Sequence, residues 1–277
     1  MLQDKAMLAT LSISRWSARK IDKKVTREVT RAHGATDDSG EFRKTLIDRA
    51  HLKPLMSSES AIRAYHYKMT LPWGEDNERI LPAKSFQEYT DTNRQLRAAD
   101  ERLRRDFVAL YPSLRTAAQS RLGSLYDPKD FPSPSEVADK FDIKISFKPV
   151  PAADDFRVDV GNEAAAQIRA SINAENEEKF ATAMKHCYGR IHEVVSHISE
   201  TLHKEEPRIF DTLVTNARDL VDCLPALNLA DDPKLEELRL ELLSILPTPG
   251  SLRTSPTARK RTADAADAIL AKMAAYK

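Results

Sequence analysis

From Asn162 to Glu206 the chain runs without proline, and its apolar residues form a stripe: Phe180, Met184, Cys187, Ile191, Val194, Ile198 and Leu202. Steps of three and four keep such residues on one side of a helix. A helix over the whole run would be roughly 65 Å long, so it needs another long helix beside it, in the same chain or in a second copy. The best intrachain partner is residues 84–111, where Leu96, Leu103, Phe107 and Leu110 make a stripe and Pro112 is expected to end or kink the helix. An antiparallel pair would place the intervening segment at the turn-around. Strand-like alternation is convincing only there: Phe141, Ile143, Ile145 and Phe147, then Phe156, Val158 and Val160 after the turn-like KPVPAAD. This predicts a β-hairpin at about 141–160, capping the helices or pairing with another chain.

Elsewhere the pattern is mostly helical. Leu2, Ala6, Ala9, Ile13 and Trp16, then Ile21, Val25 and Val29, predict helix through much of 1–33, although Leu11–Trp16 also alternates like a strand. Residues 34–40 read as a loop, Phe42–Leu52 as a short helix stopped by Pro54 and Ser57–Ser58, Glu59–Lys68 as another helix, and 70–82 as a loop. The stripe from Phe210 to Leu224 is expected to break at Pro225. Asp231–Asp232–Pro233 is a helix-start signal for the run Leu235, Leu238, Leu242, Leu246. The stretch PTPGSLRTSPTARKR reads as a flexible linker before a last helix carrying Ala266, Ile269, Met273 and Tyr276. The expected fold is mainly α and elongated: a long antiparallel helix pair, a small β-hairpin and peripheral helices. Its expected regions are 1–82 (basic and helical, with the TLPW loop), 83–206 (the helix pair with its hairpin), 207–250 (helical) and 251–277 (linker and last helix).

Composition supports helix over sheet, because glycine is scarce at 7 in 277 residues. The two cysteines, Cys187 and Cys223, occupy apolar stripe positions on separate expected helices, so a reducing compartment is expected rather than a disulfide framework. With no apolar leader and no run of membrane-spanning length, the expectation is a soluble, cytoplasmic protein. Net charge is only +1, but it is unevenly placed. Residues 1–70 hold 14 Lys/Arg against 8 Asp/Glu, residues 161–252 hold 9 against 16, and residues 253–277 hold 6 against 2. Basic ends of this kind pack on the acidic region of the same or a neighbouring chain, or contact an anionic partner.

The sharpest candidate is a basic helix face. Lys20, Lys23, Lys24, Arg27 and Arg31 recur at helical spacing, with Ile21, Val25 and Val29 on a different side. Such a row suits successive phosphates of DNA or RNA. Arg259, Lys260 and Arg261 form a second cluster. For both, the plain alternative is a solvated face or ion pairing with the acidic helices. The absence of interleaved aromatics argues against single-strand recognition. His192–Glu193–Val194–Val195–Ser196–His197 resembles a zinc-hydrolase motif, but its histidines are five apart instead of four and diverge around a helix, so no metal is expected. No phosphate-binding glycine loop and no nucleophile elbow occur. No cofactor and no enzymatic activity are expected. Leu71, Pro72 and Trp73 make either a structural anchor or a partner-binding loop.

The segment His66–Tyr67–Lys68–Met69–Thr70–Leu71–Pro72–Trp73, followed by Arg79, Leu81 and Pro82, resembles an uncharacterised family of phage and integrative-element proteins, a domain of unknown function. Ile13–Ser14–Arg15–Trp16 with Lys20, and Val150–Pro151 with Asp155–Phe156–Arg157–Val158, extend the likeness over nearly the whole chain. The resemblance implies a mobile-element origin and a MoxR-type AAA+ ATPase as a partner, and it transfers no catalytic residue. The expected function is therefore a non-enzymatic assembly or adaptor protein, self-associating through its heptad seams and acting with such an ATPase. The alternatives are a nucleic-acid-binding accessory protein that grips the phosphate backbone or DNA ends, and an enzyme of unrecognised type.

Overall fold

The structure is a computed structural model describing residues 2–75, 77–155, 158 and 160–274. In chain order its elements are helix α1 (Leu2–Lys5), strands β1 (Ala6–Ser14) and β2 (Arg19–Ile21), helix α2 (Lys23–Ala32), strand β3 (Arg43–Thr45) and helix α3 (Lys53–Met69). Strands β4 (Leu71–Pro72) and β5 (Glu78–Pro82), helices α4 (Phe86–Leu122) and α5 (Pro134–Ala138) and strand β6 (Asp142–Pro149) follow. The rest is helical: α6 (Asn162–Leu202), α7 (Thr212–Leu227), α8 (Pro233–Ile245), α9 (Pro249–Thr254) and α10 (Pro256–Ala274). The fold is mostly helical with a small sheet, as expected. The chain divides into two compact units built from interleaved segments. One takes the chain up to Thr10, His66–Tyr89 and everything from Ser146. The other takes Leu11–Tyr65 and Thr90–Ile145.

In the first unit the α6 stripe closes a core. Met184, Cys187, Ile191, Ile198 and Leu202 are buried, with Val195 fully inside and Val194 only partly. Helices α7, α8 and α10 cover this seam. The seam is thus filled by the chain's own later helices and is not free for a second copy. Cys187 and Cys223 are free thiols inside this core, and burial pushes Cys187 up to about 12. The core also takes residues of a small sheet. Ala6 pairs opposite Pro82 and Thr10 opposite Glu78 in antiparallel β1–β5, and Leu71 lies opposite Ile80 in β4–β5.

Several expectations are corrected here. The N-terminal stretch is helical only over Leu2–Lys5; Ala6–Ser14 is a strand, because Ala6 and Leu8 can bury against β5 and its neighbours only in extended form. Residues 70–82 form a tight β-ribbon instead of a loop. The expected 141–160 hairpin reduces to β6, whose neighbour in the four-stranded order β4-β5-β1-β6 is β1. Val158 and Val160 are exposed and outside any strand, and Phe156 and Arg157 lie outside the described residues. The stretch expected as a flexible linker contains α9 and the start of α10, because Thr248 caps the first and Leu252 buries. Tyr276 lies outside the described residues.

In the second unit an aromatic core holds α4. Trp16 meets the Tyr111 ring edge-on at 5.4 Å, and Phe107 meets Phe141 edge-on at 5.9 Å. Tyr111 is fully buried where the stripe pointed to Leu110, which is exposed. Helix α4 does not end at Pro112 but continues through it to Leu122, with the proline ring facing solvent. Pro225 is likewise exposed, and α7 continues through it to Leu227. Residues 42–52 hold β3, paired with β2, and a single 3-10 turn at Arg49–His51, not the expected helix. Lys44 in β3 is buried and ion-paired to Asp130 at 2.6 Å and Asp22 at 3.0 Å.

Candidate functional site

Helix α2 begins at Asp22, whose carboxylate accepts the backbone N–H groups of Lys24 and Val25. Its buried side is Thr26 and Thr30. Thr26 fixes the helix to the following loop by accepting the Phe42 N–H at 3.0 Å. With threonines inward, Lys23, Lys24, Arg27 and Arg31 all stand exposed. Lys20 is exposed too, but in strand β2, so the helical row is shorter than expected by one residue. The apolar side is not the packed one: Ile21 and Val29 are 39% and 47% exposed. Among the described residues Lys20, Lys23, Arg27 and Arg31 make no ion pair, and Lys24 reaches Glu28 only at 3.9 Å.

The second basic cluster is already used. Arg259 donates to the Leu252 and Arg253 carbonyls at 3.0 and 3.2 Å, and Lys260 pairs with Asp264 at 2.9 Å. These residues sit in the first turns of α10, and only Arg261 is left exposed and unpaired among the described residues. Leu71 and Trp73 are buried in the core of the first unit, which makes them anchors; Pro72 alone is partly open.

The first unit also holds a pocket that no sequence motif announced. It measures about 550 Å³ and is lined by Tyr67, Lys68, Arg79, His186, Arg190 and Glu193, with parts of α7. At its floor two guanidinium groups converge on one oxygen. The Thr70 carbonyl accepts from Arg79 at 3.0 Å and from Arg190 at 2.6 Å. Arg79 also donates to Thr70 Oγ1 at 2.7 Å and lies 4.6 Å over the Tyr67 ring. Arg190 further donates to the Lys68 and Tyr67 carbonyls at 2.9 and 2.6 Å. Together they tie off the C-terminal carbonyls of α3, the negative end of that helix. Lys68 is neutralised by Asp219 at 3.0 Å. Burial, then the neighbouring Arg190 charge, holds Arg79 down to about 10. Burial, then the two arginines, holds the His186 imidazole below its ordinary value.

Sequence reasoning missed this site because its parts come from a strand, a helix C-terminus and the middle of α6. The available signal was Arg79 and Arg190 sitting within otherwise apolar or turn-like contexts. Of the motif His192–His197, His197 lines the pocket and His192 is exposed, and among the described residues no group of three or more metal-ligating side chains is assembled. No helix among the described residues is long and apolar enough to cross a membrane. No family model, no curated protein and no solved structure matches the chain.

Proposed function

We propose that this protein is a non-enzymatic accessory protein that contacts the phosphate backbone of nucleic acid through the basic face of α2. The observation that carries this reading is that Lys20, Lys23, Arg27 and Arg31 are exposed and have no carboxylate partner among the described residues. Cations held at helical spacing, as Lys23, Arg27 and Arg31 are, are what successive phosphates select. Charge reversal at Lys23, Lys24 and Arg27 is expected to abolish binding to labelled duplex DNA at low salt while leaving the thermal melt unchanged. Unaltered affinity in that variant would remove the reading.

A second reading, an assembly or adaptor protein acting with an AAA+ ATPase, draws support from a different place. The N-terminal half of α6, up to Thr182, holds no buried residue, and Ile168 and Ile172 on it are only partly covered. A half-dressed helix of that length suits a protein partner or a second copy. The ATPase partner and the mobile-element origin rest on the sequence resemblance alone.

A further inference from the structure

Two guanidinium groups that share one carbonyl oxygen stand within a few ångströms of each other, and neither forms an ion pair among the described residues. Carbonyls carry only partial charges, so Thr70 and the C-terminal carbonyls of α3 offset only part of the repulsion between the two guanidinium groups. The Lys68–Asp219 pair cancels within itself, and Glu193 is the one other carboxylate lining the pocket among the described residues. The lining is therefore left with an excess of one positive charge, concentrated at the floor of a concave site. Donors remain to meet an incoming ligand. Arg79 commits two N–H groups to Thr70 and Arg190 three to the backbone, fewer than a guanidinium carries. The His186 ring lines the same pocket with no hydrogen bond among the described residues. Thr70 is itself held by donating to the His66 carbonyl at 2.6 Å, so the floor is fixed before any ligand arrives.

We propose that the Arg79–Arg190–His186 pocket binds a dianionic terminal phosphate group, that of free phosphate or pyrophosphate or of a polynucleotide end. Planar guanidinium forks match tetrahedral oxyanions, and the pair of them supplies two charges for the two of a dianion. Glu193 would leave such a complex one charge short. The dianion makes up the difference by drawing a proton onto His186, which then donates to it. An internal phosphodiester has one charge and two bulky substituents and does not suit a concave floor. The site is independent of the α2 face and is tested without it.

The test follows the His186 ring by NMR in the full-length protein, with His186→Gln to assign the signal. Phosphate or pyrophosphate replaces chloride at constant ionic strength. The His186 titration midpoint is expected to move up by about one pH unit, as an added neighbouring anion requires. His186→Glu, which changes an exposed side chain, is expected to weaken pyrophosphate binding at least about tenfold with an unchanged melting curve. A 5′-phosphorylated oligonucleotide that displaces pyrophosphate, where its 5′-hydroxyl counterpart does not, assigns the site to polynucleotide ends; displacement by neither assigns it to small phosphates. Equal displacement by both oligonucleotides overturns the terminal-phosphate assignment. An identical His186 titration in phosphate and chloride overturns the site altogether, leaving the arginines as helix caps. The protein with Lys23→Glu and Arg27→Glu is expected to give the same His186 response, so failure of the α2 reading is distinguishable from failure of this one.

Discussion

Lys44 shows how one buried charge organises its surroundings. It is 6% exposed, donates to the Leu125 carbonyl at 2.8 Å, and draws Asp22 and Asp130 to it. Burial alone would lower its pKa, but Asp130 and Asp22 outweigh burial and raise it. Its contribution to stability is thus fully present below the ordinary lysine value and is lost as pH rises through the raised one. The backbone N–H of Val25, then Lys44, holds Asp22 below the usual carboxylate range, so that part is present at neutral pH and fades as pH falls into the acid range. Replacing Lys44 by Met strands two nearly buried carboxylates and is expected to cost about 3 kcal/mol in urea unfolding at pH 7. Glu59 is the opposite case. It is 4% exposed, with Oε2 on Arg15 at 3.2 Å and Oε1 without a hydrogen bond among the described residues. Burial raises its pKa, with Arg15 opposing and Asp100 adding to the rise. The folded chain therefore keeps this proton above the pH at which the unfolded chain releases it, and stability falls as pH rises through that window. Glu59→Gln is expected to gain on the order of 1 kcal/mol at pH 7 and to flatten that part of the stability–pH curve; a loss at every pH would show that the Arg15 pair outweighs burial.

At the scale of elements, what was readable follows the range of the interactions involved. The α6 seam needs only its own helical repeat to appear, so Met184, Cys187, Ile191, Ile198 and Leu202 could be named in advance. The helix start at Asp232–Pro233 is equally local, since the Asp232 carboxylate accepts the Lys234 N–H. Strand β1 was masked because Leu2, Ala6, Ala9, Ile13 and Trp16 happen to sit at helical intervals, and its pairing partner lies about seventy residues away. The pocket was invisible for the same reason: Thr70, Arg79, His186 and Arg190 have no common spacing. Proline marked a helix end at neither place: Pro112 and Pro225 each remove one N–H, yet α4 and α7 continue through them. The exposed half of α6 is the element whose purpose is least explained by its own unit. If it serves association, Ile172→Asp is expected to lower the apparent mass in light scattering at micromolar concentration without shifting the thermal melt. An unchanged mass in the variant and in the parent protein would return this segment to the role of a solvated helix.

For the whole molecule, a net charge of +1 hides a separation that matters more than the total. The C-terminal basic cluster is largely neutralised by Asp264 and by backbone carbonyls, whereas the α2 face is not. Beyond about 10 Å at ordinary salt, other charges of the chain contribute little to what a ligand at α2 feels. Binding to nucleic acid should therefore follow the local row and ignore the total. The log of affinity for duplex DNA is expected to fall with the log of salt at a slope of roughly −0.9 for each phosphate engaged. Neutralising Lys23 or Arg27 singly should reduce that slope by about 0.9, since each removes one released counterion. Neutralising Arg261 should leave it unchanged, although Arg261 alters the net charge by the same amount. Equal effects from all three would mean that the field of the entire protein drives binding and that α2 has no privileged role. A slope difference confined to the α2 residues would establish a discrete phosphate-tracking face on a chain whose overall charge is almost zero.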